Sequence, residues 1–135
     1  MVLQSTRNLE LAQHILEQLS NAIRDLKEWN KDVDDMNELA KSPQGMQRLA
    51  GNCMLIQAIG EGIKQLDKRT EGKLLSLRPD VPWRQVMGMR NRISHGYFEL
   101  DIDYIDDIVH NDLDSLKNAV DYLARQLNDV TFDDN

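Results

Sequence analysis

Little in this sequence invites metal or disulfide chemistry. One cysteine, Cys53, stands among 135 residues, so no intramolecular disulfide can form, and a lone thiol behaves mostly as a compact buried hydrophobe. The three histidines, His14, His95 and His110, are too scattered for a familiar zinc spacing, and no CxxC pair accompanies them. No metal site and no cofactor is therefore expected. Neither a G-x-x-x-x-G-K-[ST] run nor a G-x-G-x-x-G run occurs, so the glycines form no nucleotide cradle. Apolar runs end after a few residues, as in Cys53-Met54-Leu55-Ile56, which is too short for a membrane-spanning helix. The first seven residues contain no apolar signal-peptide core, so the expectation is a cytoplasmic protein without membrane attachment.

What is present is a soluble globular composition, 41% hydrophobic and 29% charged, of a length suited to one domain over 1–135. The ordered core is expected at about 6–128, with an acidic tail at 129–135. The net charge of −7 argues against loose binding to long nucleic acid, which relies on basic surfaces. That average conceals an asymmetry. Lys64 to Arg92 holds eight basic and three acidic residues, whereas Glu99 to Asn135 holds two basic and eleven acidic ones. The acidic stretch reads most simply as a solvated helix face and tail.

Alternating β-branched or aromatic runs are absent, and helical spacing dominates. Leu9, Ala12, Leu16, Leu19, Ile23, Leu26 and Trp29 recur every three or four residues, giving a helix from about Thr6 to Asn30. After a polar break, a short helix is expected near Met36 to Ala40. Ser42-Pro43 is a helix start, with Ser as N-cap and Pro in the first turn. Met46, Leu49, Cys53, Ile56, Ile59, Ile63 and Leu66 continue from it as a second stripe. Gly60 and Gly62 flank Glu61 within that helix, which suggests close packing against a neighbour. A third helix is expected from Trp83 to about Ser94, with Trp83, Val86, Met87 and Ile93 inward and Gly96 as its stop. A last helix from about Asp103 to Leu127 turns Ile105, Val109, Leu113, Leu116, Val120, Leu123 and Leu127 to one face. Four principal helices plus short ones, with mostly short connections, predict an all-α, up-and-down bundle.

Chemistry concentrates in Arg90-Asn91-Arg92-Ile93-Ser94-His95-Gly96-Tyr97. Arg90 offers a permanent charge and a planar fork of donors for phosphate oxygens. His95 offers a group that exchanges protons near neutral pH. Together they suit RNA cleavage without a metal: the imidazole assists the ribose 2′-OH or protonates the leaving 5′-oxygen, and the guanidinium stabilises the phosphorane-like transition state. Spacing alone is a weak signal. Five residues at about 100° each do not stack on one helical face. The two converge only if His95 lies at the fraying helix end or if a second subunit completes the site. Taken singly, Arg92 reads as a solvent-exposed cation, Asn91 as a brace for the turn and Tyr97 as a half-buried aromatic.

The wider pattern is more specific. Val81-Pro82-Trp83, Gly88-Met89-Arg90-Asn91 and His95-Gly96-Tyr97-Phe98-Glu99-Leu100-Asp101 resemble the HepT family of HEPN-type proteins, as do Ile59-Gly60-Glu61-Gly62 upstream and Asn111-Asp112-Leu113 downstream. The resemblance spans roughly residues 8 to 127. It implies a helical bundle that forms a homodimer, with two Arg–His pairs in a cleft between subunits. It implies a metal-independent endoribonuclease acting as the toxin of a type VII-like toxin–antitoxin pair, with RNA as substrate. Arg90 and His95 would be catalytic, and Asn91 would orient the site. The partner implied is an MntA-like nucleotidyltransferase antitoxin that silences the toxin by AMPylation of Tyr97, where a bulky anion would block the cleft and compete for Arg90. Two positions depart from the family pattern: Asp106 stands where a tryptophan is common, and Asp114-Ser115 where a proline follows Asn-Asp-Leu. The alternative is a non-catalytic HEPN-type binding subunit of a nucleotidyltransferase, although such a module has no need of both Arg90 and His95.

Overall fold

The computed structural model describes residues 2–93 and 100–129, with side chains described from Arg7 onward. These residues form an all-α structure, without strands among them. The first helix, α1 (Val2–Trp29), and the second, α2 (Pro43–Arg69), are the long elements. Two five-residue helices follow, α3 (Trp83–Met87) and α4 (Met89–Ile93), then α5 (Ile102–Asp107) and α6 (Leu113–Gln126). Short 3₁₀ segments cover Met36–Lys41, Leu75–Leu77 and Leu127–Asp129. Helix α1 packs against both α2 and α6, while the other side of α2 carries α3 and α4. No helix among the described residues is long and apolar enough to cross a membrane.

The apolar stripes explain this arrangement. Ala12, Leu16, Leu19, Ile23 and Leu26 of α1 meet Leu49, Cys53, Ile56, Ile59, Ile63 and Leu66 of α2, all of them buried. Burial raises the Cys53 thiol above its ordinary pKa, as befits a packing residue. Ser42 caps α2 as expected: its hydroxyl accepts from the Gly45 N–H at 3.0 Å, with Pro43 in the first turn.

At the end of α1 the expected pattern shifts by one residue. Trp29 is 40% exposed, lying over Gly51, and Asn30 takes the inward place instead. Its amide exchanges two 2.9 Å hydrogen bonds with buried Asn52 and donates a third, of 2.7 Å, to the Leu26 carbonyl. Full satisfaction makes this polar pair tolerable in the core.

The third helix is not continuous. The chain breaks at Gly88, so Met89 joins Trp83, Val86 and Ile93 as a buried residue, and Met87 is only partly covered. A glycine is a poor helix former, and here the carbonyls before it press against α2.

The last helix contains a wide π turn at Ile108–Asp112. Buried residues therefore run Ile105, Ile108, Leu113, Leu116, with Val109 partly covered rather than central. The five-residue step from Ile108 to Leu113 would leave the core face of a regular helix, and the i→i+5 turn restores the phase. Expectations for Gly96 as a helix stop, and for the tail beyond residue 129, fall outside the described residues.

Candidate functional site

Helix α4 is too short to be stable alone, so its position is set by its surroundings. The loop before α3 is braced from several sides. Arg78 forms a two-pronged pair with Asp80, both contacts at 2.9 Å, and lies 5.4 Å from the Tyr122 ring centre. The Trp83 indole N–H donates to the carbonyls of Leu75 at 3.0 Å and Arg78 at 2.9 Å. At the junction with α4, α2 offers no side chain at Gly60. A Cβ there would sit 3.0 Å from the Val86 carbonyl oxygen, 3.3 Å from that of Met87 and 3.5 Å from the Arg90 nitrogen. The absence of that one atom lets the backbones meet. Two residues on, near the opposite side of the same turn, Gly62 makes room for Leu19 of α1, whose Cδ2 would lie 2.8 Å from an added Cβ. The close packing expected at Gly60-Glu61-Gly62 is thus present, against a different neighbour at each glycine.

Arg90 and Asn91 both lie on α4, exposed. His95 and Tyr97 lie outside the described residues. Arg90 Nη1 meets Glu61 Oε2 at 3.3 Å. The other carboxylate oxygen of Glu61, Oε1, accepts from the Gln65 amide at 3.1 Å. That bond, with the charges of Arg90 and Lys64, holds Glu61 below the usual carboxylate range. Sequence reasoning missed Glu61 as part of the site, though its place between two glycines marked the position.

Arg92, two residues on, is held differently. Its guanidinium stacks 4.0 Å from the ring centre of Tyr104 on α5, a cation–π contact. Burial raises the Tyr104 phenol, against the opposing pull of Arg92. The expectation that Arg92 is solvent-exposed holds, but its guanidinium is spoken for. Lys64, Lys68, Arg69 and Arg84 are exposed on the basic stretch that leads to Arg90.

The two departures from the family pattern have internal partners. Asp106 Oδ1 accepts the Met36 N–H at 2.8 Å and lies 3.3 Å from His110 Nε2, tying α5 to the 3₁₀ segment Met36–Lys41. Asp114 pairs with Lys27 of α1. Among the described residues, no three His, Cys, Asp or Glu side chains are grouped so as to hold a metal ion.

Comparison with known proteins places this geometry in context. The chain is 31% identical over 97 residues to "Putative RNase MJ1380" of Methanocaldococcus jannaschii, covering 72% of this chain and 82% of that protein. It is 30% identical over 70 residues to "Probable ribonuclease HepT" of Thermococcus cleftensis, covering 52% of this chain and 60% of the relative. No solved structure gives a significant match. The family model described as "Ribonuclease HepT-like" matches residues 19–123, a span that contains the α1 stripe from Leu19 onward, the whole α2 stripe, the Gly-Glu-Gly contact and Arg90. The chain belongs to the HepT-like ribonuclease family.

Proposed function

We propose that the protein is a metal-independent endoribonuclease toxin that cuts RNA with Arg90 and His95 in a cleft between two copies of the chain. The observation that carries this reading is Arg90 itself. In a HepT-like chain, it stands exposed on a helix fixed by α2, at the end of a run of exposed cations. A guanidinium so placed can meet two phosphate oxygens at once. In the reaction the ribose 2′-oxygen bonds to phosphorus and the bond from phosphorus to the 5′-oxygen breaks. His95 transfers the proton, leaving a 2′,3′-cyclic phosphate and a 5′-hydroxyl. Arg90 neutralises charge on the equatorial oxygens at the transition state, and Asn91 orients the pair.

The second copy is assigned to the groove of about 540 Å³ between α1 and α2, lined by Leu11, Ile15, Ala22, Leu55 and Ala58. Asp25 and Arg69 also line it, giving opposite charges that a two-fold arrangement can pair, and Glu61 lies there too. A partner seated in it therefore lies beside the residue that holds Arg90. An MntA-like nucleotidyltransferase is the proposed antitoxin, and AMPylation of Tyr97 the silencing step.

Purified protein whose Tyr97 is unmodified by mass should cleave labelled RNA in EDTA, and Arg90→Ala and His95→Ala should each lose at least about a hundredfold in rate. Cleavage that persists in either variant would overturn the assignment. Light scattering should give a dimer, and Ala22→Arg in the groove a folded monomer with little activity.

A further inference from the structure

We infer that Glu61 is a positioning residue for Arg90, a fixed carboxylate that holds one edge of the guanidinium so that the other edge faces a phosphate. The inference rests on the reading of Arg90 as catalytic. Surface ion pairs are common, and most are two long side chains that happen to meet. This one has a register set by the backbone. Gly60 admits the carbonyls of Val86 and Met87 and the nitrogen of Arg90, so the α4 backbone is seated against the turn of α2 that carries Glu61. Gly62 admits Leu19 on another side, fixing that turn against α1.

The side chain of Glu61 is also divided between two tasks. Oε1 is anchored by Gln65 at 3.1 Å, and Oε2 reaches Arg90 Nη1 at 3.3 Å. One donor of the planar fork is engaged while the Arg90 side chain remains 59% exposed, which leaves donors available to phosphate oxygens. Arg92 supplies the contrast, since its ring contact with Tyr104 covers a guanidinium face and directs it toward α5. Two arginines on one short helix are therefore oriented by different partners: among the described residues Arg90 meets a carboxylate and Arg92 an aromatic ring.

The test compares Glu61→Gln with wild type and with Arg90→Ala in the full chain. Glutamine keeps the shape and the Gln65 contact but removes the charge. For Glu61→Gln, kcat on RNA should fall on the order of tenfold from lost orientation, with KM and the thermal midpoint nearly unchanged. A purely structural role would move the midpoint rather than kcat. Nitrogen-15 relaxation of the Arg90 Nε–H, assigned by its loss in Arg90→Lys, gives a readout independent of cleavage. It should be restrained in wild type and mobile in Glu61→Gln. Wild-type kcat in Glu61→Gln beside an inactive Arg90→Ala would overturn the positioning role alone. Full activity in Arg90→Ala would instead sink the catalytic reading beneath it. If wild type cleaves no RNA, equal restraint of Arg90 in both proteins overturns the inference, and loss of restraint in the variant sustains it.

Discussion

Helices α1 and α2 carry their own reasons to exist, whereas α3 and α4 borrow theirs. The long pair present unbroken stripes, from Ala12 to Leu26 and from Leu49 to Leu66, and bury them against each other. Each short helix has five residues, interrupted by Gly88, and holds its place through the Arg78–Asp80 clamp, the Trp83 hydrogen bonds and the gap at Gly60. Arg90 and Asn91 stand on the second of the dependent pair. Apolar area stabilises the first region and close fit locates the second, so the two should fail differently when disturbed.

The largest loss of stability is expected in the frame. Ile63→Ala removes a fully buried side chain and should cost about 2–5 kcal/mol, read from denaturant unfolding. Cleavage measured well below its midpoint should persist; a comparable loss in both would erase the distinction between frame and site. Next comes Gly60→Ala. Its added methyl meets backbone oxygen and nitrogen that cannot rotate away, so about 1–3 kcal/mol of overpacking competes with a helix-propensity gain of up to about 1 kcal/mol. Cleavage should fall more than stability, because α4 is what moves. Gly62→Ala sharpens the contrast. Its closest contact is the flexible end of Leu19, so stability should change by less than about 1 kcal/mol in either direction, with activity retained.

The smallest effect concerns acid. The Asn37 N–H bond lowers Asp35, the Gln65 bond lowers Glu61, and Arg78 lowers Asp80. Folded values below unfolded ones mean that this stabilisation is present above the ordinary carboxylate range and is lost as pH falls through the folded values. Asp112 runs the other way, raised by burial and then by Asp107. Its penalty appears as pH climbs from the ordinary value through the raised one. Asp112→Asn should therefore raise the thermal midpoint slightly near pH 7 and leave it unchanged near about pH 3; a shift of equal size at both pH values would point to packing rather than charge.

Much of the frame was legible because helical spacing maps directly onto burial. Six of the seven residues in the α2 stripe, Leu49 to Leu66, are buried as expected, and Met46 is partly so. Errors arose where the period is reset by something outside the segment. Nothing in the spacing from Ile105 to Leu113 announces a π turn, and Trp29 looked inward until Asn52 supplied a partner for Asn30. The site was legible as a list of residue types. Arg90 is exposed on its helix, but its partner Glu61 is 29 residues away, and no local pattern pairs them.

By itself, then, the sequence determined that the chain is helical, where its long helices lie and which family it resembles, because periodicity and motif are local properties of a chain. Only the tertiary structure decided which neighbour fills the gap at each glycine, that Arg90 answers to a carboxylate and Arg92 to an aromatic ring, and that Asp106 and Asp114 tie elements together. Those are contacts between distant residues, fixed by how closely the backbones approach, and spacing along the chain carries no record of that distance.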